Sequence, residues 1–250
     1  MKITNRKSLL WVLALVAFAV GVWCLNHDRL SKKNWAVPVE YGFDTHFGDS
    51  QYALALMQAA GEGTFVPLMS KEATRLGAPY TANWNDFPLS DEFLFFFLGI
   101  LVRVFGLFQA TNLALVLGHV LSALAFYYCC RLLRYNRIWA WVGAILFAFT
   151  YYTSYRGLSH LTLGYIYTIP LAVVCSWIIA GSKRMEWGDK FCRLCLVVSA
   201  VIGVSLPYYL NMYCQLILGA LVVQLLARRR KQNLWIGAAS LAVAVVASWS

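Results

Sequence analysis

Charge is scarce in this chain, and acidic charge most of all. Only 13% of the residues are Asp, Glu, Lys or Arg, and nine of the 11 acidic ones fall between Asn26 and Asn112. Soluble domains carry about 25% charged residues, so an ordinary water-soluble globule is excluded. Cysteine is missing from that same stretch. All seven (Cys24, Cys129, Cys130, Cys175, Cys192, Cys195, Cys214) lie in or beside apolar segments. That excludes a disulfide framework in the one polar region where an oxidising compartment would favour it. Cys192-x-x-Cys195 has redox spacing but no further Cys or His ligands nearby, and reads as packing. Ionisable residues within the apolar segments are nearly absent and no internal repeat stands out. A transporter or lipid flippase would carry both.

What is abundant is apolar. Sixty per cent of the residues are hydrophobic, in runs that recur along the chain. Runs of about 20 such residues need an apolar solvent, which predicts an all-α, polytopic transmembrane helical bundle. The 16% of aromatic residues suits a chain that meets the bilayer interface many times. The net charge of +10 resides at the ends of the hydrophobic segments, which points to orientation in a bilayer and away from nucleic acid.

Read in order, residues 8–25 form a first span with the basic N-terminus in the cytoplasm. Cys24-Leu-Asn-His27 is no small-residue cleavage site, so the span is expected to be retained. Residues 26–112 form a large extracytoplasmic loop. Within it, Phe93 to Phe108 is apolar but interrupted by Gly99, Arg103 and Gly106, and is expected to lie flat on the membrane surface. Six further spans then occupy 113–250, about seven in all, with the last still running at Ser250. This arrangement places 14 of the 21 basic residues inside, the bias expected of cytoplasmic ends.

The polar loop carries the chemistry-bearing side chains. Tyr41-Gly-Phe-Asp-Thr-His-Phe-Gly-Asp-Ser-Gln51 brings Asp44, His46 and Asp49 into one turn-rich run. Those residues offer oxygen and nitrogen ligands to a metal without a spacing specific to one ion; a solvated loop histidine is the plainer reading of His46. Asp49 also stands before a helix-like run ended by Gly61-Glu-Gly63, which suits an N-cap. Asp86, Asp91 and Glu92 form a second acidic group, with Asp91 at the start of the surface helix and Asp86 a candidate for metal binding. Tyr80, Trp84 and Phe87 offer ring faces to a stacked ligand or suit an interfacial belt. His119, within an apolar segment, is expected to bond to a neighbouring helix.

Phe47-Gly-Asp-Ser-Gln-Tyr52 early in the loop, Phe93 to Gly106, and Ala125-Phe-Tyr-Tyr-Cys-Cys-Arg-Leu-Leu-Arg134 together resemble the GT-C superfamily. Arg75-Leu-Gly-Ala-Pro-Tyr80 through Asn85-Asp-Phe-Pro88 resembles bacterial membrane proteins of the same group. The resemblance covers most of residues 1–181. It implies a membrane glycosyltransferase of the mannosyltransferase or aminoarabinose-transferase kind, in a bacterial inner membrane. Such an enzyme moves a sugar from a polyprenyl-phosphate donor to an acceptor on the outer face, be it a cell-envelope glycan, a lipid or a protein. It also implies that Asp49, with Asp44 second, acts as base toward the acceptor hydroxyl. Some members use a divalent metal such as Mg or Mn and others use none; here His46 and Asp86 would be the added ligands. A polyprenyl phosphate leaving group calls for cations near the outer interface. Arg156 and His160 of Tyr155-Arg-Gly-Leu-Ser-His160 fit, with Arg75 and Lys71 as alternatives; a snorkelling interfacial anchor is the competing reading of Arg156. A non-catalytic assembly subunit of the same fold remains a rival, because fold does not fix function.

Overall fold

A computed structural model describes residues 6–39, 49–73, 79–84, 91–181, 183–227 and 230–249. The described chain is mostly helical and divides into two compact units, Met1–Pro88 with Leu94–Tyr167 and Leu89–Phe93 with Thr168–Ser250.

The first unit opens on α1 (Arg6–Asn26). Leu15, Ala19 and Trp23, four residues apart, are buried, whereas Leu9, Leu10, Leu13, Phe18 and Leu25 are exposed. A helix apolar on its outward side is built for lipid and not for water. After a short 3-10 turn (Lys32–Ala36), α2 (Asp49–Glu62) ends near Gly61-Glu-Gly63, as the glycines predict. The polar loop is not wholly helical. Strands β1 (Phe65–Val66), β2 (Ser70–Ala73) and β3 (Ala82–Asn83) form an antiparallel sheet in that order, with Phe65 opposite Lys71 and Glu72 opposite Asn83. Strands this short carry no readable alternation, which is why the all-α expectation missed them.

Next comes α3 (Glu92–Phe105), within the stretch Phe93 to Phe108 that was expected to lie along the membrane surface. Its 14 residues reach roughly 21 Å at 1.5 Å each, short of the ~30 Å hydrocarbon core. Phe95, Leu98 and Val102 are buried; Phe97, Ile100 and Val104 form an exposed apolar side. Gly106 takes φ 82°, a conformation open to glycine, and separates α3 from α4 (Leu107–Leu132). Among the six spans expected over 113–250, the apolar run 138–152 is interrupted. Helix α5 (Arg137–Ala148) stops at Phe149, and Thr150 caps α6 (Tyr151–Arg156) by accepting from the N–H of Thr153 at 3.4 Å. Alanines 123, 140, 144 and 148 let α4 and α5 pack closely, with Leu15 and Tyr127 completing that core.

One buried amide ties the start of α4 to the chain after α1. Asn112 Oδ1 accepts from the Val39 N–H at 2.9 Å, while Nδ2 donates to the carbonyls of Val37 (2.8 Å) and Trp35 (3.1 Å). Asn112→Leu keeps the size and removes all three bonds. The Val37 carbonyl keeps a bond from Arg29 Nη2 at 3.2 Å, which leaves two stranded groups at about 1–3 kcal/mol each, so thermal unfolding should show a loss of about 2–6 kcal/mol. A variant as stable as the parent would show the amide to be incidental.

The second unit is α7 (Thr168–Ala180), α8 (Lys190–Gly203), α9 (Pro207–Leu226) and α10 (Lys231–Ala247). Its core contains Cys175, Cys192, Cys195, Ile202, Tyr213, Ile217 and Ile236, so the Cys-x-x-Cys pair does pack inward. Tyr213 Oη and Ser199 Oγ lie 2.7 Å apart within it. Two fully buried amides close the end of α7. Gln224 Nε2 donates to the carbonyls of Ile179 (2.6 Å) and Gly181 (2.7 Å), and Asn233 Nδ2 to Lys183 (3.0 Å). Asn233 Oδ1 accepts from the Met185 N–H at 3.0 Å.

Among the described residues, three helices are long and apolar enough to cross a membrane: Ser8–Asn26, Leu107–Leu132 and Pro207–Leu226. Helices α5, α7, α8 and α10, of 12, 13, 14 and 17 residues, are shorter than the roughly 20 that a span normally takes.

Candidate functional site

Asp49 lies in the first turn of α2 as described, at the end where a helix meets negative charge favourably. Negative charge there is stabilised by the unpaired N–H groups of the first turn. The far end of α2 is clamped. Arg103 Nε donates to the Gly61 carbonyl at 2.7 Å, a cation meeting the negative helix terminus. The Arg103 guanidinium thus joins α3 to α2. Gly99 allows the two helices to touch: a Cβ added there would stand 2.6 Å from Ala60 and 2.8 Å from the Gly61 nitrogen.

Asp49 meets a residue from far along the chain. Its Oδ2 lies 3.9 Å from His160 Nε2, with the Asp49 side chain 68% and the His160 side chain 38% exposed. The pair is an ion pair when the imidazole carries its proton. At this separation and exposure it contributes no more than about 1 kcal/mol to stability. The carboxylate remains open to solvent. His160 is held by its own N–H donating to the Arg156 carbonyl at 3.1 Å, across a turn in which Gly157 takes φ 46°. Arg156 closes α6, and its guanidinium carbon stands 4.9 Å from the centre of the Tyr152 ring. A guanidinium held over an aromatic face keeps its N–H edge directed outward.

Tyr52, one turn along α2 from Asp49, was not singled out from the sequence. Burial first, and the negative charge of Asp49 second, push its phenol up to about 12. The i, i+3 spacing that places both on one side of the helix was the available signal. Tyr52 meets Trp84 edge-on at 6.1 Å between ring centres. The Trp84 N–H donates to the Lys71 carbonyl at 2.9 Å, so the sheet carries Trp84 to α2. Lys71 lies half-buried on β2, and Tyr80 is 81% exposed. The structure therefore brings Asp49 together with His160, and Trp84 together with Tyr52.

Asp44, His46, Arg75 and Asp86 lie outside the described residues. Among the described residues no three His, Cys, Asp or Glu side chains converge on a metal position; of the expected donors, Asp49 is described, with His160 beside it.

His119 bonds to a neighbouring helix, as expected for a polar residue inside an apolar segment. Its Nδ1 lies 2.7 Å from the Ala148 carbonyl, which also accepts from Thr153 Oγ1 at 2.8 Å. A carbonyl only accepts, so Nδ1 carries the hydrogen. The ring stacks on Phe149 at 4.6 Å. His27, just past α1, is half-buried against Trp23, and burial, His119 and Arg29 lower its pKa to about 4. It is neutral at pH 7.

No family model, curated protein or solved structure matches this chain.

Proposed function

We propose that this chain is an integral membrane glycosyltransferase of the GT-C type, acting on a polyprenyl-phosphate-linked sugar at the outer face of a bacterial inner membrane. The proposal includes about seven spans with the N-terminus cytoplasmic, four of them shorter than an average crossing. The observation that carries it is the solvent-open carboxylate of Asp49 at 3.9 Å from His160, on a helix start beside the turn that holds Arg156.

Chemically, the acceptor hydroxyl attacks the anomeric carbon and its proton passes to Asp49 as the new glycosidic bond forms. The bond from the anomeric carbon to the phosphate oxygen breaks, leaving polyprenyl phosphate with the electron pair. Arg156 receives the charge that develops on that phosphate. His160 holds the carboxylate in position. A single displacement inverts the anomeric centre. Tyr52 and Trp84 offer aromatic surface beside the acceptor position. A divalent metal, where one is used, would supply further charge neutralisation at the phosphate.

The test is transfer from a panel of radiolabelled polyprenyl-phosphate sugars in membranes containing the full chain and candidate envelope acceptors. Label passing from one donor to an acceptor, with inverted configuration, is the expected result, and the productive donor names the sugar. Retained configuration would overturn the single-displacement route. Inserted protein that transfers from no donor to any acceptor in the panel counts against the enzyme reading and in favour of transport or a structural role.

A further inference from the structure

At one end of the second unit, α7 and α9 stop and α8 and α10 start. Lys183, Arg184, Lys190, Arg193, Arg230 and Lys231 lie on the connectors and first turns there, against only Glu186 and Asp189 among the described residues. In sequence Arg228 and Arg229 add to the run.

Most groups that could draw Lys183, Arg184, Lys190 and Arg193 inward have other partners. Gln224 and Asn233 take the carbonyls at the end of α7, where lysines and arginines commonly cap a helix. An oxygen of Asp189 accepts from the Glu186 N–H at 3.5 Å. Arg184 Nε donates to a neutral amide, Gln232 Oε1, at 3.0 Å. The Lys183 and Lys190 ammonium groups lie over the Phe191 ring at 5.8 and 4.9 Å.

Two further observations specify what this surface meets. Helix α9 is long and apolar enough to cross a bilayer, and the basic run follows directly from its end. Trp177, Trp187 and Trp235, in the last turns of α7, the connector and the first turns of α10, are 69%, 56% and 69% exposed. Exposed indoles beside clustered cations at the end of a span match the headgroup level of a bilayer. Four to eight such cations just beyond a span attract anionic lipid.

We propose that this end of the second unit is a binding surface for anionic phospholipid headgroups in the adjoining leaflet. Headgroup phosphates accept from the cations while the indoles sit among the glycerol backbones. The proposal is independent of the role assigned to Asp49.

Thermal unfolding of the full chain in a neutral detergent tests it, with dioleoyl phosphatidylglycerol or dioleoyl phosphatidylcholine added in equal amounts. Phosphatidylglycerol should raise the midpoint more than phosphatidylcholine. The difference should shrink between roughly 0.01 M and roughly 1 M salt, where the screening length falls from about 30 to about 3 Å. The fourfold variant Lys183→Gln, Arg184→Gln, Lys190→Gln, Arg193→Gln should need more phosphatidylglycerol for half its effect, about fivefold for each cation removed. Equal stabilisation by the two lipids, or a preference untouched by salt, would overturn the proposal. Equal stabilisation is also what an acidic soluble partner for this surface would leave. Should the variant fail to fold, the salt series on the parent chain still decides.

Discussion

Asp49→Asn is expected to lower sugar transfer by about 10²- to 10⁴-fold, the usual contribution of a positioned general base, and to leave α2 where it is. In the first turn asparagine keeps the size and polarity of aspartate and gives up only the charge–dipole contribution of about 0.3–1 kcal/mol, so the substitution removes the basic oxygen without removing the helix. A second readout does not depend on activity. Burial and the Asp49 charge together hold the Tyr52 phenol at about 12. Without the neighbouring negative charge the phenolate is less disfavoured, so the Tyr52 pKa should fall while burial keeps it above the ordinary 10.0. Tyrosinate absorbance, taken as parent minus variant through the alkaline range, reports that fall. Unchanged transfer together with a lowered Tyr52 pKa would leave Asp49 beside Tyr52 and strip it of its catalytic role.

Gly99→Ala is expected to damage the same site from a distance. The new methyl group would stand 2.6 Å from both the carbonyl carbon and the Cβ of Ala60, and 2.8 Å from the Gly61 nitrogen. Two of those atoms are backbone and none can rotate away, so α2 must move off α3. Overpacking of this kind costs about 1–3 kcal/mol. It also strains the bond from Arg103 to the Gly61 carbonyl. Because Asp49 begins the helix that is displaced, transfer should drop even though Asp49, His160 and Arg156 are untouched. Gly21→Ala is the matched control: nothing lies within 4 Å of its added Cβ, and exchanging a helical glycine for alanine there should stabilise by about 0.4–1 kcal/mol. Equal unfolding midpoints for Gly99→Ala and the parent would show that the α2–α3 contact is looser than this packing requires.

Local signals proved readable and distant pairings did not. The run after Asp49 and its glycine stop defined α2 because a helix is specified by neighbours three and four residues apart. The helix expected at Phe93 to Phe108 was legible for the same reason, although it stops at Phe105, before Gly106, and not at Phe108. The break between α5 and α6 was missed because Phe149-Thr-Tyr-Tyr152 is aromatic enough to extend an apolar run, while the capping role of Thr150 appears only once the chain has turned. The sheet was missed because its strands hold two to four residues. Within the site, Asp49 was singled out through the resemblance, and Arg156 and His160 by their charge and place near the expected outer interface. Their juxtaposition is tertiary: α2 and the turn after α6 meet through packing that no window of sequence contains. His119 was assigned correctly to a helix-helix bond, since a lone polar group in an apolar segment must find a partner in the protein.

The amide of Asn112 also sets an order of events during synthesis. Its partners at Trp35, Val37 and Val39 precede it by 77, 75 and 73 residues. At about 5–20 residues per second a ribosome takes roughly 4–15 s to make that intervening chain. Throughout that interval the segment after α1 has no Asn112 to bond, and water must serve its backbone groups. The first helix can therefore enter the bilayer early, but the loop that follows is fastened only when α4 arrives. A nascent chain arrested before Asn112 should leave residues 35–39 open to protease, and one arrested well beyond it should not.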